Sequence, residues 1–346
     1  MRFNGRPGRH GILAGTGNGA VMPELKHRFV QTNGIRMHIA EQGEGPLVIM
    51  CHGFPESWYS WRHQLKALAD AGYHAVAPDM RGYGQTDRPE EINKYTQFHF
   101  VGDVIGVMDA LGEQTAVIAG HDWGAPVAWN TAMMRPDRIR GVIGLSVPYT
   151  PRGPVSTLAA RRAALGDRFY MVYFQEPGVA EADLEQDVRS SVLGALIGAS
   201  GDAPPGQGWK AIVPESGFSE RIPHDVPLPP WLTKEDVDFY TNEFERTGYR
   251  GGLNWYRTID LTWELTAPFS GAKVTPPALY MAGDKDVVVS FPGMKELIPA
   301  LKAFIPNLTK TIMLPGCGHW TQQERPEEVN AAILEFLQSL PAVGRQ

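Results

Sequence analysis

The sequence predicts an α/β fold, in which helices cover both faces of a mostly parallel β-sheet. Short apolar segments rich in β-branched residues alternate with longer helical segments along most of the chain, an order typical of repeated βα units. One strand is followed by a tight, glycine-flanked turn and a helix, and one long segment rich in aromatic residues interrupts the alternation. Together these observations predict one α/β core that carries an insertion.

The predicted strands show two hydrophobic patterns. Ile35, Met37 and Ile39 alternate with polar residues, as in a half-buried strand near a sheet edge, whereas the later strands are continuous apolar runs, as in buried parallel strands. These later strands lie at residues 47–51, 75–77, 115–119, 139–147, 278–282 and 311–314. The predicted helices that follow strands lie at residues 58–69, 97–111, 125–134, 292–304 and 326–340.

The alternation stops between residues 148 and 268. This stretch is rich in aromatic residues, is helical in places and contains a proline- and glycine-rich loop near residues 203–230. Insertions of this kind more often shape a pocket than form an inert surface loop, so we expect a mainly helical lid (cap) domain at residues 149–267. The core domain then consists of residues 22–148 and 268–346.

The composition is that of a globular protein without a basic surface. The chain of 346 residues contains 38 acidic and 32 basic residues, a net charge of −6, which argues against nucleic acid as a partner. No apolar run approaches the ~18 residues of a membrane span, and the two cysteines favour a reducing, cytoplasmic location. Neither cysteine lies in a metal-ligand pattern. The oligomeric state stays open between monomer and homodimer.

Residues 1–21 are expected to be a disordered N-terminal extension. They contain six glycines and three arginines but lack the apolar segment of a signal peptide. Met22 is therefore expected to be the natural start of the chain.

Residues 120–124, Gly-His-Asp-Trp-Gly, follow a predicted strand and precede a predicted helix. This is the sequence and context of the nucleophile elbow of the α/β-hydrolase fold, except that Asp122 stands where most such enzymes carry serine. A carboxylate is a poor acyl acceptor, but it attacks saturated, electrophilic carbon and then carries an alkyl ester. The segment therefore predicts hydrolysis of a carbon–oxygen or carbon–halogen bond. The alternative is a turn aspartate that caps a helix.

The remaining catalytic groups are expected where later strands end. In this fold the nucleophile, the acid and the histidine follow one another along the chain, and ligands bind at the carboxyl ends of the parallel strands. The strand at 278–282 precedes Asp284 and Asp286, and the strand at 311–314 precedes His319. We expect His319 to be the general base, and Asp286, or less favourably Asp284, to be the acid that orients it.

An oxyanion hole is expected from two backbone N–H groups. One belongs to the residue after the nucleophile, Trp123, and the other to the loop after an early strand. Phe54 is the candidate in that loop, because Gly53 permits the turn and Pro55 has no N–H to donate.

Several segments resemble the soluble epoxide hydrolases of the α/β-hydrolase superfamily. In the core these are His-Gly-Phe-Pro-Glu-Ser-Trp at 52–58, Gly-His-Asp-Trp-Gly at 120–124 and Gly-His-Trp at 318–320. The insertion adds Phe-Gln-Glu-Pro-Gly at 174–178 and Asn-Trp-Tyr-Arg at 254–257. The resemblance covers nearly all of residues 27–340. It implies that an epoxide and water form a vicinal diol through a hydroxyalkyl ester on the aspartate, without a metal or organic cofactor.

The resemblance also implies roles for further residues. Two lid tyrosines of the family hydrogen-bond the epoxide oxygen, and Tyr170 and Tyr256 match them, with Tyr173 as the competitor of Tyr170. Asp286 matches the charge-relay acid, and Glu56 matches a carboxylate that helps some members to position water. Two phenols also suit the chemistry, because a protonated phenol stabilises the alkoxide formed when an epoxide opens.

Two other functions stay open at this point. A haloalkane or haloacid dehalogenase uses the same order of nucleophile, acid and base, but it must bind a halide. Indole or amide donors suit a halide better than Phe54 and the tyrosines do. A non-catalytic relative would bind a ligand without turnover, which the complete set of catalytic residue types disfavours.

Overall fold

The structure is a computed structural model that describes Met1 and residues 24–206, 208–215, 217 and 223–341. The predicted N-terminal extension lies outside the described residues except for Met1, and so does the predicted start at Met22. Within the described chain, no helix is both long enough and apolar enough to cross a membrane.

The described strands form one eight-stranded sheet. They are β1 Lys26–Thr32, β2 Ile35–Gln42, β3 Leu47–Cys51, β4 His74–Pro78, β5 Ala116–His121, β6 Ile139–Leu145, β7 Ala278–Gly283 and β8 Leu308–Leu314. Across the sheet they lie in the order β1-β2-β4-β3-β5-β6-β7-β8. The pairs β1–β2 and β2–β4 are antiparallel, and every other neighbouring pair is parallel. The predicted mostly parallel sheet is therefore confirmed.

Every strand predicted from the sequence is present, but β1 was not predicted. β1 is an edge strand in which only Val30 and Thr32 are buried, so it lacks a continuous apolar run. The strand predicted at 139–147 ends earlier, at Leu145. The reason is the backbone of Ser146, which is left-handed with a φ of 68° and cannot continue a strand.

The helices lie on both faces of the sheet and between β6 and β7. They are α1 Arg62–Asp70, α2 Gln97–Leu111, α3 Gly124–Met134, α4 Thr157–Leu165, α5 Tyr170–Tyr173, α6 Val179–Leu184, α7 Val188–Gly198, α8 Lys234–Thr247, α9 Arg250–Arg257, α10 Ile259–Leu265, α11 Met294–Ala300, α12 Thr321–Glu324 and α13 Pro326–Ser339. The predicted helix at 58–69 begins as a 3₁₀ turn, Trp58–Trp61. The predicted helix at 292–304 is divided into α11 and the 3₁₀ turn Leu301–Ala303, and Pro299 inside α11 removes a backbone donor.

Two apolar clusters enclose the sheet, one on each face. Along β3, Leu47, Ile49 and Cys51 belong to one cluster, whereas Val48 and Met50 belong to the other, as the alternation of side chains along a strand requires. Side chains of α2 and α3 pack into the first cluster, and side chains of α1 and α13 pack into the second. The central strands β3, β5, β6 and β7 are thus buried on both faces, which fixes the loops at their carboxyl ends.

Along the chain, helices α4–α10 follow β6 and precede β7, and the described residues of that segment add no strand to the sheet. Tryptophan side chains join this segment to the core. The Trp255 indole N–H donates to the Arg81 carbonyl oxygen over 3.0 Å, and the Trp320 indole N–H donates to the Leu196 carbonyl oxygen over 2.9 Å. Since Arg81 follows β4 and Trp320 follows β8, the segment contacts the carboxyl edge of the sheet. The domain boundaries at residues 149 and 267 stay a prediction.

Candidate active site

Asp122 lies at a sharp turn between β5 and α3, and its backbone is left-handed, with a φ of 49°. The turn requires glycine on both sides. A Cβ atom at Gly120 would lie 2.0 Å from the Gly124 carbonyl oxygen, and a Cβ atom at Gly124 would lie 2.0 Å from the Cys51 carbonyl oxygen. A larger residue would push these backbone segments apart, so the glycines fix the Asp122 side chain at the carboxyl edge of the sheet.

The Asp122 carboxylate lies between the loop after β3 and His319. Its Oδ1 accepts a hydrogen bond of 2.7 Å from the Phe54 N–H, and its Oδ2 lies 3.6 Å from Nε2 of His319. A Cβ atom at Gly53 would lie 2.3 Å from Asp122 Oδ1, so only glycine lets the loop approach this closely. Phe54, one predicted oxyanion donor, therefore contacts the predicted nucleophile, and Trp123, the other, directly precedes α3.

His52 holds the loop after β3 in place. Its Nδ1–H donates to the Gly53 carbonyl oxygen over 2.9 Å, and its Nε2 accepts from the Met80 N–H over 3.0 Å. Burial lowers the pKa of His52, which agrees with a neutral ring that donates from one nitrogen and accepts at the other. His52 thus connects the loop after β3 to the loop after β4 through these two hydrogen bonds.

Asp286 and His319 meet at the carboxyl ends of β7 and β8. Nδ1–H of His319 donates to Asp286 Oδ1 over 3.0 Å, and both side chains are buried. Asp284, the other candidate acid, is exposed and accepts from the Gly316 N–H over 2.8 Å. The structure thus brings Asp286, rather than Asp284, together with His319 and Asp122.

Two carboxylates control the charge of His319. Burial alone lowers its pKa, but Asp286 and Asp122 together raise the pKa well above the ordinary value. Burial likewise raises the pKa of Asp286, and the nearby His319 ring more than offsets this and lowers it. At neutral pH an imidazolium therefore lies between two carboxylates. Loss of either negative charge would lower the His319 pKa.

Ser146 is a neighbour of His319 that the sequence analysis missed. Its Oγ lies 3.1 Å from His319 Nδ1, and its carbonyl oxygen accepts a 2.7 Å hydrogen bond from the Tyr280 hydroxyl. The signal was its position at the end of β6, which lies between β5 and β7 in the sheet. That signal appears only once the strand order and the early end of β6 are known.

Glu56 and His121 form a buried pair beside the elbow. Glu56 Oε2 accepts from His121 Nδ1 and from the Gly53 N–H, both over 2.8 Å, and Oε1 accepts from Gln322 Nε2 over 3.2 Å. Nε2 of His121 donates to the His319 carbonyl oxygen over 2.7 Å. Burial raises the pKa of Glu56, but His121 and the Gly53 N–H outweigh it and lower the pKa to about 2. Glu56 thus links three loops of the site. Its role in positioning water stays a prediction.

Tyr170 and Tyr256 are both buried near Asp122. Their side chains are 8% and 3% exposed, and their ring centroids lie 6.0 Å apart. Burial raises the pKa of both phenols, and the charge of Asp122 raises it further, so both hydroxyls stay protonated and can donate at neutral pH. The competitor, Tyr173, instead donates to Asp183 Oδ2 over 3.3 Å.

A cavity of about 260 Å³ opens beside Asp122 and Tyr170. Its wall contains many aromatic side chains from the core and from the insertion, which include Phe100, Trp129, Tyr149, Trp255, Trp263 and Phe291. Asp122 is the only carboxylate among the lining residues of the described chain, and Arg152 and Arg161 are the only cations. A small organic molecule with an apolar body therefore fits within reach of the carboxylate.

The chain is similar to known proteins over most of its length. The family model of the α/β hydrolase fold matches residues 46–326. Epoxide hydrolase 3 of Siraitia grosvenorii is 44% identical over 319 residues, which cover 91% of this chain and 99% of that protein. Epoxide hydrolase A of Mycobacterium tuberculosis is 45% identical over 320 residues, which cover 90% of this chain and 97% of that protein.

Solved structures agree with these relatives. The crystal structure of epoxide hydrolase A from Mycobacterium thermoresistibile has a TM-score of 0.86 and 45% identity, and the match covers 92% of this chain and all of that one. An epoxide hydrolase structure from Vigna radiata has a TM-score of 0.84 and 44% identity, and the match covers 91% of this chain and 98% of that one. The predicted fold class and the predicted resemblance are both confirmed.

Replacing Glu56 with glutamine is expected to destabilise the fold in a pH-dependent way. The pKa of Glu56 is about 2 in the folded chain against an ordinary 4.5, so the charge contributes about 3 kcal/mol to the free energy of unfolding at pH 7. Because the folded pKa is the lower one, this contribution is complete above pH 4.5 and is lost as the pH falls towards 2.

Urea unfolding of the wild type and of Glu56→Gln measures this effect. The gap between their free energies of unfolding should narrow by about 1 kcal/mol between pH 6 and pH 3.5. Glu90→Gln, which changes an exposed carboxylate, is the control and should show almost no gap. A gap for Glu56→Gln that stays constant with pH would contradict the lowered pKa of Glu56.

Proposed function

This chain belongs to the epoxide hydrolase family of the α/β-hydrolase fold, and we propose that it converts an epoxide and water into a vicinal diol through an ester on Asp122. The observation that carries the proposal is the arrangement around the elbow carboxylate. Two buried, protonated phenols lie close enough to Asp122 for its charge to raise their pKa, and Nε2 of a histidine paired with Asp286 lies 3.6 Å from its carboxylate.

The first step forms the ester. A carboxylate oxygen of Asp122 attacks one epoxide carbon, and the bond between that carbon and the ring oxygen breaks. Tyr170 and Tyr256 donate hydrogen bonds to the ring oxygen, and one of them supplies the proton that converts the alkoxide into a hydroxyl group. Before the attack, Nε2 of the cationic His319 lies 3.6 Å from Oδ2 of the nucleophile.

Ester formation itself prepares the second step. Once Asp122 is esterified, its negative charge is gone, so the pKa of His319 falls. The ring then gives its proton to the tyrosinate left by the first step, which restores the phenol and leaves His319 as a neutral base. Asp286 still holds Nδ1–H and leaves Nε2 directed at the ester. A single residue thus alternates between a cation that supports the nucleophile and a base that activates water.

The second step hydrolyses the ester. His319 takes a proton from water, and the hydroxide attacks the ester carbonyl carbon. The N–H groups of Phe54 and Trp123 stabilise the oxyanion, and the already short contact between Phe54 and the Asp122 carboxylate supports this role. The intermediate collapses, the departing diol oxygen takes the proton from His319, and Asp122 is left as a carboxylic acid. When Asp122 ionises again, its proton passes to His319 and restores the starting imidazolium.

We also propose the lid boundaries and a cytoplasmic location. Tyr170 and Tyr256 both belong to residues 149–267, which supports the assignment of this segment as a lid over the nucleophile. Cys51 and Cys317 are buried and unpaired, as is usual for proteins of reducing compartments.

The activity itself is tested with styrene oxide and a chloroalkane, with diol and halide measured separately. Diol without halide is the expected result, because two phenols suit an alkoxide leaving group. Halide without diol would replace the proposal with dehalogenation by the same triad. Binding of either compound without turnover would indicate a non-catalytic relative.

Two variants separate the chemical steps. Asp122→Ala is expected to abolish turnover, because it removes the nucleophile, whereas His319→Gln is expected to form the ester without hydrolysing it. Intact-mass spectrometry after exposure to styrene oxide should show one substrate-mass adduct on His319→Gln and none on Asp122→Ala. His224→Gln, which changes an exposed histidine paired with Asp187, is the control and should turn over the substrate normally. The absence of an adduct on His319→Gln would contradict the two-step scheme.

The tyrosines are tested by removing single hydroxyl groups. Tyr170→Phe and Tyr256→Phe should each slow ester formation about 10²-fold, because each removes one donor to the ring oxygen. Tyr173→Phe is the matched control, since its hydroxyl donates to Asp183, and it should react at nearly the wild-type rate. Single-turnover kinetics in the His319→Gln background measure this step alone. A slow Tyr173→Phe variant beside a fast Tyr170→Phe variant would reverse the assignment.

A further inference from the structure

The cavity lining carries more positive than negative charge, unlike the chain as a whole. The chain as a whole is acidic, with a net charge of −6, but Arg152 and Arg161 both line the cavity that also contains Asp122. The proposed chemistry uses neither arginine. Two half-buried cations in a wall rich in aromatic side chains therefore need an explanation of their own.

Arg161 is held at one point and is otherwise free to bind a ligand. Its Nη1 donates to the Pro292 carbonyl oxygen over 3.0 Å, and its guanidinium carbon lies 5.2 Å from the centroid of the Phe291 ring. Among the described residues, no carboxylate pairs with it. In contrast, Arg162 pairs with Asp167 over 3.0 Å. The neighbouring Arg162 thus pairs with a carboxylate, whereas Arg161 pairs with none in the part of the chain that the structure describes.

Arg152 is held in the same way by a tryptophan. Its Nε donates to the Trp263 carbonyl oxygen over 2.9 Å, and its guanidinium carbon lies 4.1 Å from the centroid of the Trp263 ring. The Trp263 indole N–H donates to the Gly153 carbonyl oxygen over 2.9 Å, which fixes the ring. Both terminal nitrogens of Arg152 lack a hydrogen-bond acceptor among the described residues. Each arginine is therefore positioned in advance, with unused donors.

Arg161 lies close to Tyr170 in the cavity. Burial raises the pKa of Tyr170, and the positive charge of Arg161 opposes this rise, so the guanidinium and the phenol are close enough to interact. Tyr170 is the proposed donor to the ring oxygen, while Trp263 and Phe291 provide apolar surface beside the arginines. The cavity thus offers a reactive carboxylate, an apolar wall and a cationic site.

We propose that Arg161, together with Arg152, binds a carboxylate of the substrate, so that the preferred substrates are epoxides joined to a carboxylate by an apolar body. This inference rests on the proposed epoxide hydrolysis. A guanidinium with free N–H donors matches the two oxygens of a carboxylate, and Asp122 would repel a carboxylate placed at the wrong end of the cavity. The arginines therefore determine both the class of epoxide and its orientation.

The test compares terminal epoxides that carry a carboxylate with their methyl esters, over a series of increasing chain length. The readout is the ratio of kcat/KM for the acid to kcat/KM for the ester within one protein, because a change in folding or in general activity affects both. For the wild type this ratio should exceed one by about tenfold at the chain length that spans the cavity. Added potassium chloride should reduce it.

Three variants identify the residues that produce the ratio. Arg161→Gln should lower it about tenfold, Arg152→Gln should lower it as well, and Arg162→Gln should leave it unchanged, because Arg162 is exposed and paired with Asp167. The Arg152→Gln variant keeps the test valid if Arg161→Gln does not fold.

The outcomes separate this inference from the proposed function. If styrene oxide and all of the epoxides yield no diol, the proposed function fails. If the esters and styrene oxide yield diol but the wild-type ratio stays near one at every length, the arginines do not select a carboxylate. A high ratio that persists in both Arg161→Gln and Arg152→Gln would also overturn the inference.

Discussion

The site depends on the close approach of two backbone turns. The loop after β3 and the turn after β5 contact each other at glycines, and a Cβ atom at Gly53 or Gly124 would collide with the opposite turn. This contact places the Phe54 N–H on the Asp122 carboxylate. Since both turns end neighbouring parallel strands that are buried on both faces, the packing of the sheet fixes the position of the nucleophile to within a hydrogen-bond length.

The same packing buries a group of charges that stabilise one another. His319 lies between Asp122 and Asp286, and the cationic ring offsets the free-energy cost of removing each carboxylate from water. Next to it, Glu56 is ionised against His121, and the two bind the loops after β3, β5 and β8 to one another. Because these loops share hydrogen bonds, the geometry that the chemistry needs also holds the core together.

The sequence predicts those parts of this arrangement that depend on local signals. The strands are apolar runs, and the elbow is a contiguous motif, so Asp122 and its context follow from neighbouring residues. Contacts between residues that are distant in the chain leave no such signal: Glu56 meets His121 across 65 residues, and Ser146 meets His319 across 173. β1 was not predicted for a different reason, because this exposed edge strand lacks an apolar run. The sequence does not distinguish Tyr170 from Tyr173, because three-dimensional packing determines the direction in which each side chain points.

The core and the insertion contribute different kinds of groups to the cavity. The core supplies Asp122, His319 and Asp286, whose positions are tightly constrained by the sheet. The insertion supplies the phenols and both arginines, whereas the aromatic side chains of the wall come from both parts of the chain. The arginines are held by single hydrogen bonds and ring contacts. Groups held in this way can be exchanged without disturbing the elbow. Under the proposed function, the arginines of the insertion select the substrate, while the residues of the core carry out the reaction.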